Sequence, residues 1–184
     1  MFGYRRVMSL ERSTAPDPLD LLPAAPSLIV HSDDVQDGQP MVAMFAHPSV
    51  GGENVSPHLA WTDYPRETES FAVTCFDPDA PTGSGFWHWV VFNIPASVQE
   101  LVRGASRDGL PEGAVEARND YGESGYGGAA PPGGEAHRYI FVVYALDVPM
   151  LELDSGATPA YVGFNLTFRT IARGAIRPTF QVAD

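Results

Sequence analysis

The side chains best suited to chemistry in this chain are two carboxylates, two imidazoles and a phenol, gathered in three short stretches. Asp77 and Asp79 belong to Asp77-Pro78-Asp79-Ala80-Pro81, directly after the apolar run Phe71 to Phe76. Acids at i and i+2 share a face in a strand, but Pro78 cannot donate to a ladder and turns both toward the strand's open end. A capped turn is the plain alternative. His88 lies within Gly85-Phe86-Trp87-His88-Trp89-Val90-Val91, a polar ring among aromatic neighbours, where a satisfied core histidine is the competing reading. The third stretch runs from Tyr126 through Gly127, Gly128, Ala130, Pro131 and Pro132 to His137-Arg138-Tyr139. Small residues let main-chain N–H groups approach an anion, and the prolines stiffen the loop that holds them. All three stretches fall at the ends of runs expected to be central strands, so they can meet at one rim as a small polar pocket.

Two ionised acids beside an anion site need compensation, since each repels the ligand by about 4 kcal/mol at 4 Å with an effective dielectric near 20. The expected arrangement has one Asp accepting from His88 or His137 and keeping that ring cationic. Ligand oxygens then meet imidazolium N–H, the Tyr139 hydroxyl and loop N–H groups. The same set suffices for general acid–base catalysis by Asp77 and His88, which makes a small-molecule isomerase, cyclase or hydrolase the alternative to a binding module. Asp77, Asp79, His88 and His137 are conceivable as oxygen and nitrogen ligands, but no metal and no cofactor is expected. Ser56 precedes Pro57 rather than sitting on a nucleophile elbow, and Cys75 reads as a buried thiol.

The elements that must position these groups are short. Eighteen Gly and 17 Pro among 184 residues disfavour a helical bundle and favour strands joined by turns. The chain length fits one domain. Apolar runs at Leu28 to Val30, Met41 to Phe45, Phe71 to Phe76, Trp87 to Ile94 and Tyr139 to Leu146 read as strands. Two of them are apolar almost throughout and belong in the middle of a two-layer sandwich. Val102 to Glu135 is too long for a hairpin turn and reads as a functional loop. Near the end, Tyr161, Phe164, Phe168 and Ile171 follow the period of one buried helix face, with Thr158 as N-cap, Pro159 in the first turn and Gly174 as the stop. Residues 1–26 carry Pro16, Pro18, Pro23 and Pro26 and are expected to form an extended arm, with the domain spanning 27–184.

Eleven basic residues, all arginine, against 23 acidic ones give a net charge of −12, which repels nucleic acid and anionic membranes. Without lysine there is no Schiff-base chemistry, and a single cysteine allows no internal disulfide. Arg5 and Arg6 lead into no apolar core, so no secretory signal is expected, and Met8 could be the true start. No stretch is long enough to span a bilayer, and a cytoplasmic location is expected.

The sequence resembles the phosphatidylethanolamine-binding protein family, also called Raf kinase inhibitor-like proteins, and most of all its bacterial branch. The blocks that carry the likeness are Asn54-Val55-Ser56-Pro57-His58-Leu59-Ala60-Trp61, Asp77-Pro78-Asp79-Ala80-Pro81, Trp87-His88-Trp89 with Asn93-Ile94-Pro95, and Gly128 through Pro132 with His137-Arg138-Tyr139. The resemblance implies an antiparallel Greek-key β-sandwich with a C-terminal helix packed on the outside. It also implies a shallow pocket for phosphate or a phosphorylated head group. Matched residue by residue, Asp77 and Asp79 are the paired acids, His88 the pocket histidine, and Pro131 and Pro132 the rim prolines; His137 and Tyr139 end the His-Arg-Tyr motif. Gly128 and Ala130 belong to the ligand loop, with Ala130 standing where other members often carry glycine. The bond from Ala80 to Pro81 is expected to be cis. A kinase or protease as partner is a further expectation, and a homodimer is a separate one.

Overall fold

The structure, a computed structural model, describes residues 13–183. In chain order the elements are β1 (Ile29–His31), β2 (Leu59–Thr62), β3 (Ser70–Asp77), β4 (Phe86–Pro95), β5 (Glu100–Leu101), α1 (Ala105–Asp108), β6 (Val115–Glu116), β7 (His137–Arg138), β8 (Ile140–Leu146), α2 (Pro159–Arg169), β9 (Thr170–Ile176) and β10 (Thr179–Phe180). A five-stranded antiparallel sheet runs β6-β4-β3-β8-β9, a three-stranded one β1-β2-β5, and β7 pairs with β10. The mostly-β, antiparallel reading holds.

The central strands are buried on both faces because their alternate residues serve two different cores. Phe71, Val73 and Cys75 of β3 pack with Trp89 and Val91 of β4 and Phe141 and Val143 of β8, and meet Leu59 and Trp61 of the smaller sheet. Ala72 faces the other way with Val90, Phe92, Ile140, Val142 and Tyr144, where Val162 and Leu166 of α2 cover them. A fully buried aromatic or aliphatic side chain contributes about 1.5–3 kcal/mol, so both faces stabilise the sheet.

Several expectations change. Thr158 does cap α2, accepting from Tyr161 N–H at 3.3 Å, with Pro159 in the first turn. The helix, however, buries Val162 and Leu166 and leaves Tyr161, Phe164 and Phe168 at 54%, 60% and 68% exposure. Two neighbouring stripes of this helix are apolar, and periodicity alone cannot tell which one meets the sheet. The helix stops at Arg169 because the chain is drawn into β9, so Ile171 is a strand residue. Gly174 is no helix stop either; it lies in β9 where an added Cβ would come within 2.3 Å of the Leu28 carbonyl oxygen. Met41 to Phe45 yields a single 3-10 turn at Ala43–Phe45 rather than a strand.

The Ala80–Pro81 bond is trans, not cis. The turn closes instead through the Asp77 carboxylate, which accepts from Asp79 N–H at 2.8 Å, and through Thr82 N–H donating to the Ala80 carbonyl at 2.7 Å. The arm is tied to the domain over residues 13–26: Asp17 caps a 3-10 helix at Pro18–Leu21 and pairs with Arg177 at 2.6 Å, and Arg138 donates to the Ala15 carbonyl. Met8, Arg5 and Arg6 lie outside the described residues. Among the described residues no helix is long and apolar enough to cross a membrane.

Candidate functional site

Three strand ends meet at one rim, and each delivers its polar residue for a local reason. Asp77 is the last residue of β3 and continues the alternation that buries Phe71, Val73 and Cys75, so its carboxylate emerges where that face ends. His88 sits at a β-bulge, because Cys75 pairs with Trp89 while Phe76 pairs with Trp87, leaving one extra residue on β4. A bulge re-aims side chains, and here it frees His88 from strict alternation, so that it lines the rim while Trp89 enters the core. His137 is fixed by β7 pairing with β10, and Tyr139 N–H donates to the Pro178 carbonyl at 2.9 Å.

These residues line an open cavity of about 350 Å³, walled by Phe86, Tyr121, Ala130, Pro131 and Pro132 as well. Asp77 is buried, and its second carboxylate oxygen lies 2.8 Å from His137 Nδ1. Of the two rings considered for a carboxylate partner, His137 has one. His88 Nδ1 instead donates to the Gly127 carbonyl at 2.7 Å, so in the neutral ring the lone pair sits on Nε2. Burial pushes the pKa of His88 below its ordinary value, against the opposing pull of the Gly127 carbonyl and Asp77. The Tyr139 hydroxyl is buried and has no hydrogen-bond partner among the described residues. Burial, and then Asp77, push its pKa well above the ordinary phenol value.

Two predicted residues do not line the cavity. Asp79 faces away into Arg138, accepting from its main-chain N–H at 3.0 Å and from its guanidinium at 2.8 and 2.7 Å. Burial alone would raise the pKa of Asp79, but these bonds outweigh it and hold the carboxyl below its usual range. Gly128 is needed for close packing, since an added Cβ would meet the Ala46 carbonyl carbon at 2.4 Å. The N–H groups of Gly127, Gly128 and Ala129 donate to His88 O, Asn54 Oδ1 and Phe45 O, so they serve the loop's own structure. Ala130 lines the cavity without a positive φ, so a Cβ is tolerated there. Among the described residues no group of three or more His, Cys, Asp or Glu is placed to hold a metal ion.

The model of the family described as "Phosphatidylethanolamine-binding protein" matches residues 31–181. The chain belongs to this family. Among its relatives are two proteins of Escherichia coli strain K12, UPF0098 protein YbhB and UPF0098 protein YbcL. YbhB is 49% identical over 154 residues, covering 82% of this chain and 98% of that protein. YbcL is 45% identical, covering 83% and 87%. The crystal structure of E. coli YbcL superposes with a TM-score of 0.82 at 43% identity, covering 85% of this chain and 99% of that one. A putative phosphatidylethanolamine-binding protein homologue from Chlamydia trachomatis superposes at 0.73 with 29% identity, covering 85% and 99%.

Within this phosphatidylethanolamine-binding protein fold, sequence reasoning missed Tyr121. Its ring stacks on His47 at 4.8 Å and meets Phe86 edge-on at 4.7 Å, and its hydroxyl donates to the Gly128 carbonyl at 3.1 Å. Burial, then Asp77, push its pKa up to about 12. No periodic pattern surrounds Tyr121, so nothing local marks it. Asn54, which the resemblance did quote, proves to be a strut: its side chain grips the Tyr126 carbonyl at 2.8 Å and Gly128 N–H at 2.6 Å. The buried thiol of Cys75 is held well above its ordinary pKa by burial and then by Asp77, which removes it as a nucleophile.

Proposed function

We propose that the rim cavity binds a small oxyanion, either phosphate or the phosphate of a head group such as phosphoethanolamine. The observation that carries this reading is the Tyr139 hydroxyl. A buried donor left unpaired costs about 1–3 kcal/mol, and a ligand oxygen in the cavity would satisfy it. Asp77, the charge that would oppose an anion, already faces the His137 ring. His88 adds a ring that can take up a proton as the anion enters, because a negative ligand favours its charged form.

Calorimetric titration with inorganic phosphate and phosphoethanolamine tests this. Saturable binding by the wild type, weakened about tenfold in Tyr139→Phe, is the expected result, as for the loss of one hydrogen bond to a charged group. Absence of heat with both ligands in the folded protein would overturn the reading. A second reading, a small-molecule enzyme, gains one observation and loses one. The carboxylate–imidazole pair suited to proton transfer exists, but it joins Asp77 to His137 rather than to His88.

A further inference from the structure

A second cavity lies on the opposite face of the same sheet, between the arm and α2. It measures about 360 Å³, within the roughly 300–1,000 Å³ of small-molecule sites. Phe76, Trp87 and Ile140 form its floor, Gly163 and Phe164 a wall, and the arm around Leu19 its roof. An apolar hole alone would be a packing defect, but polar groups converge here.

Strand register places Arg173 opposite Tyr144, and Thr74 on the neighbouring strand points to the same face. All three line the cavity. Thr74 is 2% exposed, and its Oγ1 has no partner at hydrogen-bonding geometry among the described residues; the Tyr144 phenol is its polar neighbour. Arg173 is half-buried and donates from Nη2 to the Leu19 carbonyl at 3.2 Å. None of the ion pairs among the described residues includes it. In a chain with 23 acids for 11 arginines, an arginine that meets no carboxylate among the described residues, beside an apolar cavity and two neighbouring buried hydroxyls, is free to take an anion from outside.

We propose that this cavity binds an amphiphilic monocarboxylate, with its carboxylate on Arg173 beside the Thr74 and Tyr144 hydroxyls and its hydrocarbon over Phe76, Trp87 and Ile140. A guanidinium fork matches a planar carboxylate in two parallel bonds, and the partly dry surroundings strengthen the attraction. The hydrocarbon leaves water for an alkyl and aromatic lining, which supplies the rest of the affinity. This site faces away from the rim cavity, and the inference does not depend on what that cavity holds.

The test is calorimetric titration of the full chain with decanoate and, in parallel, with 1-decanol, both in excess inorganic phosphate. Saturable decanoate binding is expected, weaker at high salt and unaffected by phosphate. Replacing the carboxylate by the alcohol, or making Arg173→Gln, weakens binding about tenfold or more, as expected for a charge-assisted bond. Gly163→Leu is the second variant: an added Cβ there meets nothing within 4 Å, so the side chain grows into the cavity and blocks it while the circular dichroism stays unchanged. Four results overturn the proposal: no saturable binding by the wild type, equal affinity for acid and alcohol, binding retained in Gly163→Leu, or displacement by phosphate.

Discussion

Two cavities of nearly equal volume, about 350 and 360 Å³, open on opposite faces of one sheet, and they are built from consecutive residues. Phe76 lines the outer one and Asp77 the rim; Trp87 lines the outer one and His88 the rim; Ile140 lines the outer one and Tyr139 the rim. Strand alternation sorts these neighbours to different faces. The chemistry of each cavity therefore follows from which face of the sheet a residue is turned to, set by alternation and, on β4, by the bulge at His88, more than from its neighbourhood in sequence. The rim places an acid, two imidazoles and two phenols against a glycine- and proline-rich loop with little room to adjust. The outer cavity sets Arg173 with the Thr74 and Tyr144 hydroxyls into a largely apolar surround roofed by an arm.

The difference in tolerance can be broken most severely at the glycines. Gly128→Ala forces a Cβ into the Ala46 main chain, so urea unfolding should show a loss of about 3 kcal/mol, the upper end of typical overpacking costs. Phosphate binding should fall with it. If stability is unchanged, the loop packs less tightly than the geometry requires.

Next in size are two buried hydroxyls, one in each cavity. Tyr139→Phe removes a buried oxygen without a partner among the described residues, so it should raise the unliganded protein's stability by about 1 kcal/mol, whereas Thr74→Val takes away the polar neighbour of the Tyr144 phenol and should gain less. Phosphate affinity should drop in Tyr139→Phe and remain in Thr74→Val. The opposite assignment would show that the two cavities have been given the wrong ligands.

A gain of about 0.8 kcal/mol is expected from Gly163→Ala, which restores helix propensity at a position with open space around it. Thermal unfolding of this variant beside Gly128→Ala gives the sharpest contrast between the two regions, because the same substitution should carry opposite signs.

The gentlest test is a slope with pH. Burial holds the folded-state pKa of His88 below its ordinary 6.5, so the unfolded chain takes up the proton first as pH falls. Stability is then fully present above about 6.5 and declines as pH drops from there toward the depressed folded value. Phosphate should flatten this decline, since a bound anion favours the charged ring. A stability profile in His88→Gln indistinguishable from wild type between pH 7 and 5 would remove this role for His88.

Much of the site was legible because its residues end recognisable strands. Asp77, His88, Pro131, Pro132, His137 and Tyr139 all line one cavity, and the runs that deliver them appear as β3, β4 and β8 within a residue or two. Asp79 was legible as an acid but not as an ion-pair partner, since its bond to Arg138 spans 59 positions. Tyr121 was invisible because it is placed by ring contacts to His47 and Phe86, both far away in sequence. The buried face of α2 was misread because Val162 and Leu166 form a stripe as apolar, at this resolution of pattern, as the aromatic one beside it.

By itself the sequence determined the central strands β3, β4 and β8, the N-cap of α2 and the family, because these depend on residues close together in the chain or on motifs in fixed order. The tertiary structure alone decided that His137 rather than His88 takes the Asp77 carboxylate, that the Gly127 and Gly128 amides are spent on the loop, and that Arg173 faces an apolar cavity. The physical reason is that partner choice depends on which groups are left over once strands have paired and layers have packed, and register between distant segments cannot be computed from either segment alone.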